Sequence, residues 1–140
     1  MLVDRNLLSQ RLAAISDRLA RIDSVLPPTV DAFLVDRTAQ EVVAFNLFLA
    51  FQDALDVCAH VIADRGWELP QTAREHFDIM ARHGILIPGL ARAMGGCAGL
   101  RNLIAHAYGS LDLQRLYIEL PSGRDALRAF AAALAARDDV

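Results

Sequence analysis

A chain of 140 residues with a formal charge of −3 and a pI near 5.7 carries no broad positive field, which excludes a general electrostatic grip on nucleic acid. Apolar residues make up 54% and the mean hydropathy is +0.29, yet no apolar run reaches the ~18 residues of a membrane span; the best stretch, residues 42–51, is broken by Asn46. This length suits one domain, 1–140, with a core of its own, and surplus apolar surface without a membrane predicts a subunit interface.

Met1-Leu2-Val3-Asp4-Arg5 offers no basic region followed by an apolar stretch, so no signal peptide is read and a cytoplasmic location is expected. All fourteen basic residues are arginine. Cys58 and Cys97 each lie in an apolar helical pattern with no second Cys or His at ligand spacing, and read as reduced core residues.

Leu8, Leu12, Ile15, Leu19 and Ile22 alternate steps of four and three, which predicts an amphipathic helix over 4–24, stopped by Pro27-Pro28. A short element over 29–35 follows. Asp36 is placed to cap a long second helix ending near Gly66, with Phe48, Phe51, Leu55, Cys58 and Ile62 on one stripe. Thr72-Ala73-Arg74-Glu75 reads as a capping box opening a third, short helix that carries Phe77 and Met80 and closes at Gly84. Pro88 suits the first turn of a fourth helix over 88–108. Residues 112–119 read as helical, Pro121 as a break, and Ser122 as the start of a last helix through about Arg137, with Leu127, Phe130 and Leu134 inward. No alternating strand pattern competes. The expected fold is an all-α antiparallel helical bundle of four to five main helices.

The chemistry concentrates in Arg101-Asn102-Leu103-Ile104-Ala105-His106-Ala107-Tyr108, where a guanidinium, an amide, an imidazole and a phenol interrupt an apolar helical segment. Polar groups brought toward a core each need a hydrogen-bond partner, so four in eight residues point to a site rather than a packing surface. At 100° per residue, Leu90, Met94, Cys97, Ile104 and Tyr108 form one stripe with Arg101 in its middle. His106 lies about 140° away on the side of Arg92, Gly95, Gly99 and Asn102. Either the helix ends or bends before His106, or two copies of the chain supply complementary groups; spacing leaves both open.

Arg101, four residues, His106, one residue and Tyr108 resemble the R-x4-H-x-Y signature of the HepT-like toxins in the HEPN superfamily. Asp53-Ala54-Leu55-Asp56-Val57-Cys58-Ala59-His60-Val61-Ile62 resembles that family's second helix, and Leu69-Pro70 with 77–86 its third-helix region. Ala107 departs mildly, standing where a larger or polar residue is common. The resemblance implies a metal-independent endoribonuclease, without cofactor, that works as a HEPN-like homodimer with two signatures facing across the interface. Arg101 and His106 would be the catalytic residues, with Asn102 and Tyr108 supporting RNA binding. Tyr108 would also be the residue that an MntA-like nucleotidyltransferase antitoxin modifies with AMP. The RNA substrate would be a tRNA or an mRNA. A non-catalytic helical partner of a nucleotidyltransferase is the competing reading. His60, His76 and His83 are not expected to hold a metal: Asp56 and His60 share a face, but no third ligand is placed. Arg74, Arg82, Arg92 and Arg115 either guide RNA or solvate helix faces, and solvation is the expectation for each singly.

Overall fold

The computed structural model describes residues 4–106 and 112–140, and within them the chain is helical, with no strand. Six helices follow one another: α1 (Arg5–Val25), α2 (Val30–Leu34), α3 (Arg37–Arg65), α4 (Ala73–Arg82), α5 (Pro88–His106) and α6 (Leu113–Ala135). Five are main helices and α2 is a single short one, within the four to five main helices expected.

Local chemistry sets the boundaries. Asp4, Thr29, Asp36, Thr72 and Asp112 each turn a side-chain oxygen onto a free amide of the first turn that follows, which satisfies a donor the helix itself leaves orphaned. At Thr72 the predicted box forms with one change. The hydroxyl accepts from the Glu75 amide at 3.1 Å, but the Glu75 carboxylate reaches back to the Gln71 amide at 2.6 Å, one residue before the cap. Gly66 ends α3 in the left-handed region at φ 66°, a conformation that costs a residue with a Cβ.

The helix α3 touches each of the other five. Its buried set (Val43, Leu47, Ala50, Phe51, Ala54, Val57, Cys58, Val61 and Ile62) covers more than one face, which explains an apolar content beyond that of an amphipathic surface helix. By length and composition α3 could cross a membrane, but 56% of its most apolar window is buried inside the bundle, so its hydropathy belongs to the core. One hydrophobic cluster joins all six helices, from Leu8 of α1 through Phe33, Phe77 and Met94 to Leu134 of α6. Phe48 and Leu55, expected inward, are only half-buried.

Pro121 does not break the chain: α6 runs unbroken from Leu113 to Ala135, so residues 112–119 and 122–137 are not two helices. A proline inside a helix forfeits one backbone bond, here to the Tyr117 carbonyl, and its ring crowds that carbonyl. Pro121 is exposed, while Leu116 and Leu120 before it and Ala126 and Leu127 after it are buried in the same core. Packing on both sides outweighs the lost bond.

Candidate active site

The helix that carries the polar segment begins at the exposed Pro88 and turns one face into the bundle. Ala91, Met94, Cys97 and Leu100 are buried, and α5 packs against α3, α4 and α6. Arg101 follows Cys97 by one turn on the same stripe, so its side chain leaves the edge of the core-facing surface and meets α3. There its Nε donates to Oε1 of Gln52 at 2.8 Å, and its Nη1 donates to Oδ1 of Asn102 at 2.9 Å. The guanidinium carbon stands 5.7 Å from the centre of the Phe48 ring, within the range of a cation–π contact. Arg101 is half-buried and Asn102 is exposed.

The helix α5 is continuous to His106, so the alternative in which it ends before that residue does not occur. Five residues along one helix turn the two positions about 140° apart. Arg101 and Asn102 are therefore brought together at the α3 side, and His106 follows at the last described turn. Tyr108 lies outside the described residues, as does the rest of 107–111.

Gln52 and Phe48 are the residues that motif reading missed. Their signal is visible only in retrospect: a glutamine interrupts the apolar stripe of a helix whose neighbouring positions are core, and an aromatic stands one turn before it.

The three glycines in the middle of α5 divide in two. Gly95 is buried beneath the Arg74 side chain of α4, where a Cβ would stand 2.9 Å from Arg74 Nη1. Gly96 and Gly99 are exposed, and a Cβ there would meet nothing within 4 Å. Between α5 and α6 lies a cavity of about 270 Å³ lined by Cys97, Leu100, Arg115, Glu119, Ser122 and Gly123. Its charged groups answer each other, Arg115 Nε donating to Glu119 at 3.2 Å. Burial, reinforced by the Glu119 charge, pushes the Cys97 thiol up to about 11, and burial raises Cys58 further still.

The remaining histidines have local roles. His76 Nδ1 lies 2.8 Å from the Thr72 carbonyl, and His83 stacks on Trp67 with ring centres 3.9 Å apart while its Nε2 stands 3.1 Å from Glu68. His60 is exposed, and no cluster of three potential metal ligands occurs among the described residues. Arg82 pairs with Glu68 at 3.0 Å, and Arg92 is exposed.

A family profile described as "Ribonuclease HepT-like" matches residues 15–134. Among curated proteins, the mRNA nuclease HepT of Shewanella oneidensis is 26% identical over 108 residues, covering 77% of this chain and 80% of that protein. The tRNA nuclease HepT of Aphanizomenon flos-aquae is 25% identical over 104 residues, covering 74% and 69%. Among solved structures, the tri-AMPylated HEPN toxin of Shewanella oneidensis in complex with the MNT antitoxin superposes with a TM-score of 0.84. It covers 94% of this chain and 98% of its own at 23% identity, a likeness of fold.

Proposed function

This chain belongs to the ribonuclease HepT-like family, and from that premise we propose that it is the toxin of a toxin–antitoxin pair, a cytoplasmic endoribonuclease that cuts RNA without a metal. The observation that carries the reading is Arg101: a half-buried guanidinium held by two neutral amides, with no carboxylate paired to it among the described residues, five residues before a histidine on the same helix.

The chemistry needs only groups that the motif supplies. A base removes the proton of a ribose 2′-hydroxyl, the 2′-oxygen attacks the adjacent phosphorus, and the phosphorus–5′-oxygen bond breaks. An acid then protonates the leaving 5′-oxygen, leaving a 2′,3′-cyclic phosphate and a free 5′-hydroxyl. Histidine serves either step near neutral pH, so a His106 from each of two copies would provide both. Arg101 would hold the extra charge that builds on the phosphate oxygens, for which a planar guanidinium fork is suited. An α5 helical through His106 sets positions 101 and 106 about 140° apart around its axis, which supports a homodimer in which the signatures complete each other.

The relatives of this chain carry names that divide between mRNA and tRNA, and both classes are open as substrates. By the same likeness, an MntA-like nucleotidyltransferase antitoxin would inhibit the enzyme by adding AMP to Tyr108. The only other tyrosine, Tyr117, has its hydroxyl engaged, donating to the Pro27 carbonyl at 2.8 Å, which supports Tyr108 as the target.

The test is cleavage of total bacterial RNA by the purified chain in EDTA. Arg101→Ala and His106→Ala should each lose on the order of 10²- to 10⁴-fold in rate while keeping the helical spectrum. Unchanged cleavage in both variants would remove the assignment. Absence of cleavage by the unmodified chain would favour the non-catalytic partner of a nucleotidyltransferase.

A further inference from the structure

We infer that Gln52 is a positioning residue for RNA cleavage: it fixes the Arg101 guanidinium from α3 through a neutral acceptor and so leaves the positive charge available to a phosphate. The inference rests on the proposed ribonuclease reading and adds to it the residue that holds the cation in place.

Most of the fourteen arginines stand within 4.0 Å of a carboxylate oxygen, so their charge is answered inside the molecule. Arg101 instead meets two amide oxygens and the face of Phe48. A guanidinium has five N–H donors. Two are used here, which fixes the plane of the group and leaves three for a ligand.

The two amides contribute unequally. Asn102 is the exposed sequence neighbour of Arg101 and moves with it. Gln52 belongs to a different helix and is half-buried, and its flanking residues Phe51 and Asp53 are 1% and 4% exposed. That makes it the fixed end of the contact.

The placement of Asp53 sharpens the point. One residue along α3, and so about 100° around it, the nearest carboxylate in sequence is turned toward α1, where it takes Arg18 at 2.8 Å and Arg11 at 3.5 Å. The helix α3 thus presents an acid to the arginines of α1 and an amide to the arginine of α5. A carboxylate at the Gln52 position would form an ion pair with Arg101 in a half-buried setting, and any phosphate would have to displace it. An amide holds the same geometry without that competition.

Glu and Leu at position 52 separate this role from a packing role, because Glu keeps the shape and strengthens the hydrogen bond. Cleavage of total bacterial RNA in EDTA is measured for the full chain and for Gln52→Glu, Gln52→Leu and Arg101→Ala, beside the melting temperature of each. Gln52→Glu should melt at or above the parent temperature and yet lose on the order of 10²-fold in kcat, because the paired carboxylate competes with the phosphate for the Arg101 charge. Gln52→Leu should lose kcat with little change in KM. In nitrogen-15 spectra, the Arg101 Nε–H should exchange slowly with water in the parent chain and in Gln52→Glu, and quickly in Gln52→Leu. Parent-like cleavage by Gln52→Glu, or activity that simply tracks melting temperature through both variants, would overturn the role of Gln52. Parent-like cleavage by Arg101→Ala would instead overturn the ribonuclease reading beneath it.

Discussion

Arg18 of α1 and Asp53 of α3 are joined Nε to Oδ2 at 2.8 Å, and the carboxylate they share with Arg11 is one of two buried polar side chains in the described core. The pair ties the two helices in register at a point where apolar packing alone would let them slide. Asp53→Ala leaves Arg18 without its acceptor and Arg11 with Asp56 alone, at 3.8 Å. Breaking a fully buried pair costs roughly 3–5 kcal/mol; because Arg18 and Arg11 are 27% and 40% exposed, a loss of about 2 kcal/mol is expected after discounting for solvent. Urea unfolding followed by circular dichroism measures it. A change below about 0.5 kcal/mol, the scale of an ordinary surface substitution, would show that the pair contributes nothing to the register.

Much of this architecture is legible in the chain because the periodic apolar positions are also the buried ones. Leu8, Leu12, Ile15, Leu19 and Ile22 are all core, as are Leu127, Phe130 and Leu134. Caps are equally legible, since Asp36 and Thr72 act through bonds to residues three positions away. Pro121 misleads because its cost is local, whereas the packing that carries α6 through it comes from other helices. The polar segment that holds Arg101 and Asn102 stands out in the sequence, but Gln52 does not. Its partner is 49 residues away, and no local rule connects an α3 glutamine to an α5 arginine.

The two tyrosines should respond differently to substitution. Tyr117→Phe removes the hydroxyl that donates to Pro27 but keeps the ring, which stands 5.2 Å from Phe33. A loss of about 1 kcal/mol in stability is expected, with RNA cleavage and its inhibition unchanged. Tyr108→Phe should retain cleavage and escape inhibition by an active nucleotidyltransferase supplied with ATP. Mass spectrometry of the co-expressed proteins locates the adenylate; its appearance on Tyr117 would remove Tyr108 as the switch.

Both thiols should be slow toward iodoacetamide at pH 8, since a thiol held near 11 at Cys97 supplies little of the reactive thiolate, and Cys58 supplies less. The sign of the linked stability follows. A folded-state value raised above the unfolded one, about 8.5, gives a contribution fully present below that pH and lost as the pH rises toward 11. Stability in urea should therefore decline from pH 8.5 to 11, and less steeply in Cys97→Ala. Rapid labelling of both cysteines in the native chain would contradict their burial.

The glycines of α5 and α6 provide a test of the homodimer that does not depend on activity. Glycine inside a helix costs roughly 0.5–1 kcal/mol relative to alanine, so each replacement is stabilising unless something already occupies the space. At Gly123 a Cβ would stand 3.7 Å from Leu100 and 3.9 Å from Leu47, ordinary contact distances, and Gly123→Ala should raise the melting temperature without other effect. At Gly95 the new atom would fall 2.9 Å from the Arg74 guanidinium; that side chain must move, and the gain should shrink or vanish. Gly96 and Gly99 meet nothing within 4 Å in the single chain. For an isolated chain, alanine at either should stabilise like Gly123→Ala. If a second copy approaches α5 closely along that surface, the same methyl groups stand in the interface, and the effect changes sign with association. Light scattering should then find the parent chain at twice 15.3 kDa and Gly99→Ala shifted toward 15.3 kDa at micromolar concentration, with Gly123→Ala unshifted. A parent chain at 15.3 kDa would remove the dimer, and a Gly99→Ala variant that melts higher and stays dimeric would place the interface elsewhere.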